Sequence, residues 1–124
     1  MFDTRPKIVS VAAFLAYAAA HPALPVVAVL LDPLYGPHVR RLVEIAGDRA
    51  LLVMVESPTA PLLDARARAE LAASLAMVEC VTIVDANASA MLHAQLGSRI
   101  VDERAADATR YNNLATHVRQ RNNV

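Results

Sequence analysis

Glycine, cysteine, lysine and aromatic residues are all scarce in this chain, and each scarcity removes a class of function. Three glycines, Gly36, Gly47 and Gly97, cannot supply a Gly-x-Gly-x-x-Gly fingerprint or a P-loop. A single cysteine, Cys80, allows neither an internal disulfide nor a cysteine-based zinc site. With Glu79 beside it and no activating base in view, it reads as buried and inert. Tryptophan is absent and aromatics make up 4% of the chain, so a hydrophobic fraction of 56% must build its core from Ala, Val and Leu. Lys7 is the one lysine, and 12 Lys plus Arg are balanced by 12 Asp plus Glu with no block of one sign. That balance argues against general nucleic-acid binding, which rests on neutralising phosphates. No apolar run approaches a membrane span, and Asp3, Arg5, Pro6 and Lys7 around Phe2 do not read as a signal peptide. A cytoplasmic chain with no membrane partner is the expectation. His21, His93 and His117 lie far apart, and neither His-Glu-x-x-His nor Gly-x-Ser-x-Gly occurs, so no metal centre or serine elbow is indicated.

What is present is organised around residues 25–56. The apolar run Val26-Val27-Ala28-Val29-Leu30-Leu31 is short and β-branched, as suits a strand covered on both faces of a parallel sheet. Asp32-Pro33-Leu34-Tyr35-Gly36-Pro37-His38 then breaks it, with Pro37 suited to the first turn of a helix. Val39, Leu42, Val43 and Ala46 recur at helical spacing while Arg40, Arg41 and Glu44 take the other side. Gly47-Asp48 ends that helix, and Leu51-Leu52-Val53-Met54-Val55 forms the next buried strand.

Around this unit the remaining elements follow in order. Ser10 caps a helix over residues 10–20, with Val11, Phe14, Leu15 and Ala18 on one face. Residues 57–61 form a turn-rich connection, and Asp64 caps a helix over 65–77 with Arg66, Arg68 and Glu70 on its wet side. Residues 81–84 make a third strand, 88–96 a short helix, 99–101 a last strand, and 102–121 a polar helix. Strands alternating with helices imply parallel pairing and right-handed crossovers, so the 124 residues are expected to form a single three-layer α/β domain. In such sheets ligands sit outside the carboxyl ends of the strands, which is where residues 32–38 leave the first strand.

Several short stretches, taken in order, resemble the cytidylyltransferase-like nucleotidyltransferases, especially the heptose-phosphate adenylyltransferase and glycerol-phosphate cytidylyltransferase types. They are the opening Lys-Ile-Val-Ser, the strand ending in Asp-Pro-Leu, the turn ending in His-Val-Arg, and Gly-Asp-Arg before a valine-rich strand. Pro-Leu-Leu, an Arg-Ala-Glu helix and a passage similar to Leu-x-x-Val-Asp-x-Val complete the pattern over residues 7–85. The resemblance implies a Rossmann-like domain of nucleotidyltransferase type, 1–101 forming the α/β core and 102–124 a C-terminal helix. It further implies a nucleotide- or phosphate-binding turn made of Asp32, Leu34, Tyr35, Gly36 and His38, with Arg41 nearby.

The chain departs from that pattern where the chemistry lies. The family's turn carries His-x-Gly-His; here it is Tyr35-Gly36-Pro37-His38, so the second His is kept and the first is a Tyr that cannot become a cation at neutral pH. Pro37 also removes a backbone donor from the helix start. The lysine-bearing loop after the second strand is shortened to residues 57–61, and residues 98–109 hold no counterpart of the Ser/Thr-rich phosphate turn. His38 reads either as an anion ligand or as a helix-start residue bonded near the turn. Asp32 reads as a turn former, with Mg²⁺ ligation as the other reading. Arg40 and Arg41 read as a solvated face beside Glu44, with phosphate contact as the alternative. Tyr35 lines the pocket mouth or covers the sheet edge.

The expectation is a degenerate, weakly active or inactive nucleotidyltransferase-like protein that binds a nucleotide or phosphorylated metabolite, or serves regulation or assembly. One alternative is an active, divergent enzyme using His38 and Mg²⁺ with ATP or CTP to modify a sugar or polyol phosphate, releasing pyrophosphate. The other is a structural module docking through residues 102–121. The resemblance and the Ala-rich opening helix together suggest a homodimer.

Overall fold

The structure, a computed structural model, describes residues 3–122 other than Pro33, Tyr35, Thr59, Ala60 and Leu62; for Tyr111, Leu114, Ala115, His117, Arg121 and Asn122 it describes the backbone only. Four strands, β1 (Val26–Val29), β2 (Leu51–Val55), β3 (Val78–Ile83) and β4 (Ile100–Asp102), form one parallel sheet in the order β3-β2-β1-β4. Every residue of β1 and β2 is buried, which explains why their sequences are continuously apolar. Ile8 adds a single parallel bridge to Val81 at the β3 edge.

Five helices accompany the strands: α1 (Val11–Ala20), α2 (Gly36–Ala46), α3 (Ala65–Ala73), α4 (Ala86–Leu96) and α5 (Arg104–Asn122). One core cluster joins Leu42 and Ala46 of α2 and Ala69, Ala72 and Ala73 of α3 to Val27, Val29, Val53 and Val55. The other joins Phe14 and Ala18 of α1 and Leu92 of α4 to Val26, Leu52 and Met54. Alternate strand residues thus serve opposite faces, giving the expected three-layer Rossmann-like architecture. No described helix is long and apolar enough to cross a membrane.

The caps follow local chemistry. Ser10 Oγ accepts from Ala13 N, Asp64 from Ala67 N and Asp85 from Ala88 N, each satisfying an N–H that the first helical turn leaves without an intrahelical partner. Gly47 closes α2 at φ +60°, a conformation that any side chain would strain. Boundaries differ from the sequence reading in explicable ways. α3 stops at Ala73 rather than 77, because Leu75 and Met77 turn back to pack against the core. β3 then starts at Val78, where it pairs with Leu51 across a one-residue register shift. Asp85 opens α4 two residues earlier than expected, and β4 and α5 begin at Ile100 and Arg104.

Two side-chain assignments are corrected. Val43, placed on the inner face of α2, is half exposed, while His38, Leu42 and Ala46 at i, i+4 and i+8 are buried. Arg68, placed on the wet side of α3, is fully buried. Its guanidinium donates to the carbonyls of Leu63 (3.1 Å), Leu30 (3.1 Å) and Glu56, and to Ser57 Oγ (3.1 Å). The carbonyl ends of β1 and β2 have no further strand residue to pair with, and a planar fork is the side chain shaped to collect them.

Candidate functional site

Because β2 lies on one side of β1 and β4 on the other, the chain direction diverges between β1 and β4. The crevice beyond their carboxyl ends is the position this architecture reserves for ligands. The chain marks the spot with a strained residue: Leu31, buried just past β1, adopts φ +52°, rare for a branched side chain.

Charged side chains from α2 and α5 meet here. His38, on the first turn of α2, is almost fully buried, and its Nε2 lies 3.4 Å from Oδ1 of Asp107. Asp107, itself 4% exposed, accepts from the Leu30 backbone N–H at 3.0 Å through Oδ2 and from Arg110 at 3.0 Å through Oδ1. Burial pushes the His38 imidazole below its ordinary pKa, the Asp107 carboxylate opposing and Arg110 reinforcing the shift. Burial also pushes the Asp107 carboxyl up, against its donors and His38. With Leu30 and Arg110 both donating, we assign the anion to Asp107 and the neutral imidazole to His38 at neutral pH. Arg41 donates to Glu103 at 2.8 Å and approaches Glu44 at 3.4 Å, and Arg110 reaches Glu103 at 3.5 Å.

The residues expected to form a phosphate turn are thus distributed among several partners. Gly36, His38 and Arg41 share the first two turns of α2, with Gly36 exposed, His38 facing Asp107 and Arg41 facing Glu103. Leu34 packs against the core cluster on the α2 side. Asp32 accepts from the Leu63 backbone N–H at 2.8 Å, so a Mg²⁺ ion bound there would share that carboxylate with an amide. Tyr35 lies outside the described residues, as do Thr59 and Ala60 of the shortened connection. Among the described residues no group of three or more His, Cys, Asp or Glu is arranged to hold a metal ion. Lys7 is at the opposite end of the sheet, donating to the Leu75 carbonyl at 3.3 Å. Cys80 is buried, and burial raises its thiol pKa, the state of an unreactive cysteine.

A second feature on the same rim was not read from the sequence. A cavity of about 580 Å³ opens beyond β2 and β3 at the start of α4, a size typical of small-molecule sites. Its charged lining centres on Glu56, the residue after β2, whose buried carboxylate is held from three sides. Ser89 Oγ donates to Oε1, His93 Nε2 donates to Oε2 at 3.1 Å and Arg104 donates to Oε1 at 3.2 Å. A carboxylate only accepts, so His93 carries its proton on Nε2. Arg104 also forks onto Asp102 at 2.9 and 2.7 Å, holding that carboxyl down at about 2. None of Asp32, Leu34, Gly36, His38 or Arg41 lines this cavity. The signal in the sequence was a lone Glu ending an apolar strand, together with Ser89 and His93 four apart on one helix face.

No protein-family model matches the chain, and no curated protein matches it. Fold and rim together define a Rossmann-like α/β domain. The crevice between β1 and β4 is spanned by internal charge pairs, with a cavity beside it.

Proposed function

We propose that this is a cytoplasmic, nucleotidyltransferase-like domain that binds a nucleotide or phosphorylated small molecule at the C-terminal rim of its sheet and turns it over weakly or not at all. One observation carries the reading: most cationic groups at the rim are already committed, although Arg40, exposed on α2 near Gly36, is not among them. Arg41 and Arg110 face Glu103 and Asp107, Arg104 faces Asp102 and Glu56, Arg68 serves backbone carbonyls, and His38 is buried and neutral. Nucleotidyl transfer depends on cations and donors aimed at charge developing on phosphorus. Withholding one such donor costs about 3 kcal/mol of transition-state stabilisation, and here several are engaged elsewhere. The resemblance over residues 7–85 supplies the ligand class, and the neighbouring cavity supplies room.

Thermal denaturation with millimolar ATP, CTP and sugar or polyol phosphates tests this. A ligand at one hundred times its Kd adds about 2.7 kcal/mol, which for a domain of this size raises Tm by roughly 10 °C. A Tm unmoved by every phosphorylated compound would defeat the binding reading.

The assembly reading rests on Val118 of α5, a large apolar side chain that is 47% exposed. On that reading the partner is a second copy. Sedimentation of the full chain as a monomer at all concentrations would remove it.

A further inference from the structure

The cavity beyond β2 and β3 is lined by side chains that Glu56 holds in position. Its buried carboxylate accepts from Ser89 Oγ, His93 Nε2 and Arg104 Nη1, so one anchor fixes three cavity residues of α4 and α5. Each of the three keeps a polar group for another partner. Ser89, having donated its proton, retains oxygen lone pairs, and Nδ1 of His93 is the acceptor nitrogen of the neutral ring. Arg104 spends three of its five N–H groups on Asp102 and Glu56 and keeps the rest. Asp85 caps α4 through Oδ1, and its Oδ2 has no partner among the described residues. Ser57 Oγ accepts from Arg68, which leaves its own proton to donate.

The groups left over are a mixture: Ser57 and Arg104 donate, while Asp85, Ser89 and His93 accept. A phosphate only accepts and would face the carboxylates of Glu56 and Asp85; an ammonium only donates and would face the Arg104 guanidinium. An alcohol hydroxyl does both at one oxygen. Val84, Ala86 and Ala90 complete the wall with apolar surface that suits a C–H face. Among the described residues no aromatic side chain lines the cavity, so a flat base finds no ring to stack on. We propose that this cavity is a binding site for a neutral polyhydroxylated small molecule, a monosaccharide or an open-chain polyol. Glu56 is its positioning residue, and Ser57, Asp85, Ser89, His93 and Arg104 meet the ligand's hydroxyls. A volume of about 580 Å³ accommodates such a molecule with bridging waters. The site adds to the phosphate reading above and does not rest on it.

Polyols stabilise folded proteins in general by exclusion from their surfaces, so the test reads individual residues rather than Tm. The isotope-labelled full chain is titrated, under heteronuclear NMR, with neutral pentoses, hexoses and pentitols, and with inorganic phosphate and ethylammonium as charged probes. At least one neutral compound should give saturable amide shifts confined to residues 56–57, 84–93 and 104, with a millimolar Kd. Its epimer at a single carbon should bind more weakly. Ala90→Leu, at an exposed helical position, fills the cavity and should weaken binding about tenfold or more. Asp85→Ser keeps the cap, removes the carboxylate and should weaken binding about tenfold. No saturable shift with any neutral compound, or equal binding by both epimers and by Ala90→Leu, would overturn the proposal. So would saturable binding of phosphate or ethylammonium there in place of the neutral compounds. Should Ala90→Leu fail to fold, Asp85→Ser and the epimer comparison decide the question. Stabilisation by nucleotide without sugar or polyol binding would overturn this site alone; sugar or polyol binding without any response to phosphorylated compounds would support it and defeat the phosphate reading.

Discussion

Replacing Arg68 with methionine isolates the group that ties the ends of β1 and β2 together. Methionine fills most of the volume and keeps the helix, but offers nothing to the carbonyls of Leu30, Glu56 and Leu63. A buried acceptor left unmade costs about 1–3 kcal/mol. Glu56 is buried and takes the upper end of that range, whereas Leu30 and Leu63 are half-buried and take the lower, giving roughly 4–5 kcal/mol in all. Against this stands relief from burying a guanidinium, whose pKa burial already lowers despite the nearby charges of Asp32 and Asp64; that returns about 1 kcal/mol. The net loss is about 3–4 kcal/mol, to be compared with a total stability of roughly 5–15 kcal/mol. Urea denaturation followed by circular dichroism, with a slope of about 1.5 kcal/mol/M, should show the midpoint falling by roughly 2 M. Arg68→Lys should fall in between, since an ammonium keeps the charge but lacks the planar fork. A midpoint for Arg68→Met within about 0.3 M of wild type would refute the reasoning.

Further outcomes follow from the same contacts. Burial holds the His38 pKa below 6.5, so the folded state carries fewer protons than the unfolded one between the two values. Stability is therefore full above pH 6.5 and declines as pH falls toward the lowered value, by about 1.4 kcal/mol per unit of separation. His38→Gln should flatten that part of a stability-versus-pH curve; an unchanged slope would contradict the assignment. Asp102, held at about 2 by Arg104, acts in a separate window, with stability present above pH 3.8 and lost as pH falls toward 2. Asp85→Ala should lower stability by about 1 kcal/mol through loss of the α4 cap, read by thermal denaturation. Glu56→Gln should cost about 2 kcal/mol, because an amide cannot accept from Ser89, His93 and Arg104 together, and Ser89→Ala should cost less once Glu56 is already changed.

The strands and caps were legible because their causes are local. Uniform apolar runs announce strands buried on both faces, and Ser10, Asp64 and Gly47 act through their own turn. The rim was less legible because its causes are distant in sequence. Arg66 and Arg68 are two apart on a helix and so point about 200° away from each other, which excludes a shared wet face. Which of them turns inward is settled by carbonyls from β1 and β2, invisible from α3 alone. His38 announces its burial through the His38-Leu42-Ala46 spacing, whereas Asp107 sits in a polar helix and gives no such signal. Its partner, the Leu30 amide, is 77 residues away.

The central claim is that most positive groups at the rim of this sheet are held by carboxylates and backbone carbonyls, so that it binds with little or no turnover. Pyrophosphate release tests it most directly, with the purified chain incubated with ATP or CTP, Mg²⁺ and a panel of sugar and polyol phosphates. The account predicts release at or barely above a protein-free control. Sustained release that disappears in His38→Ala would contradict it.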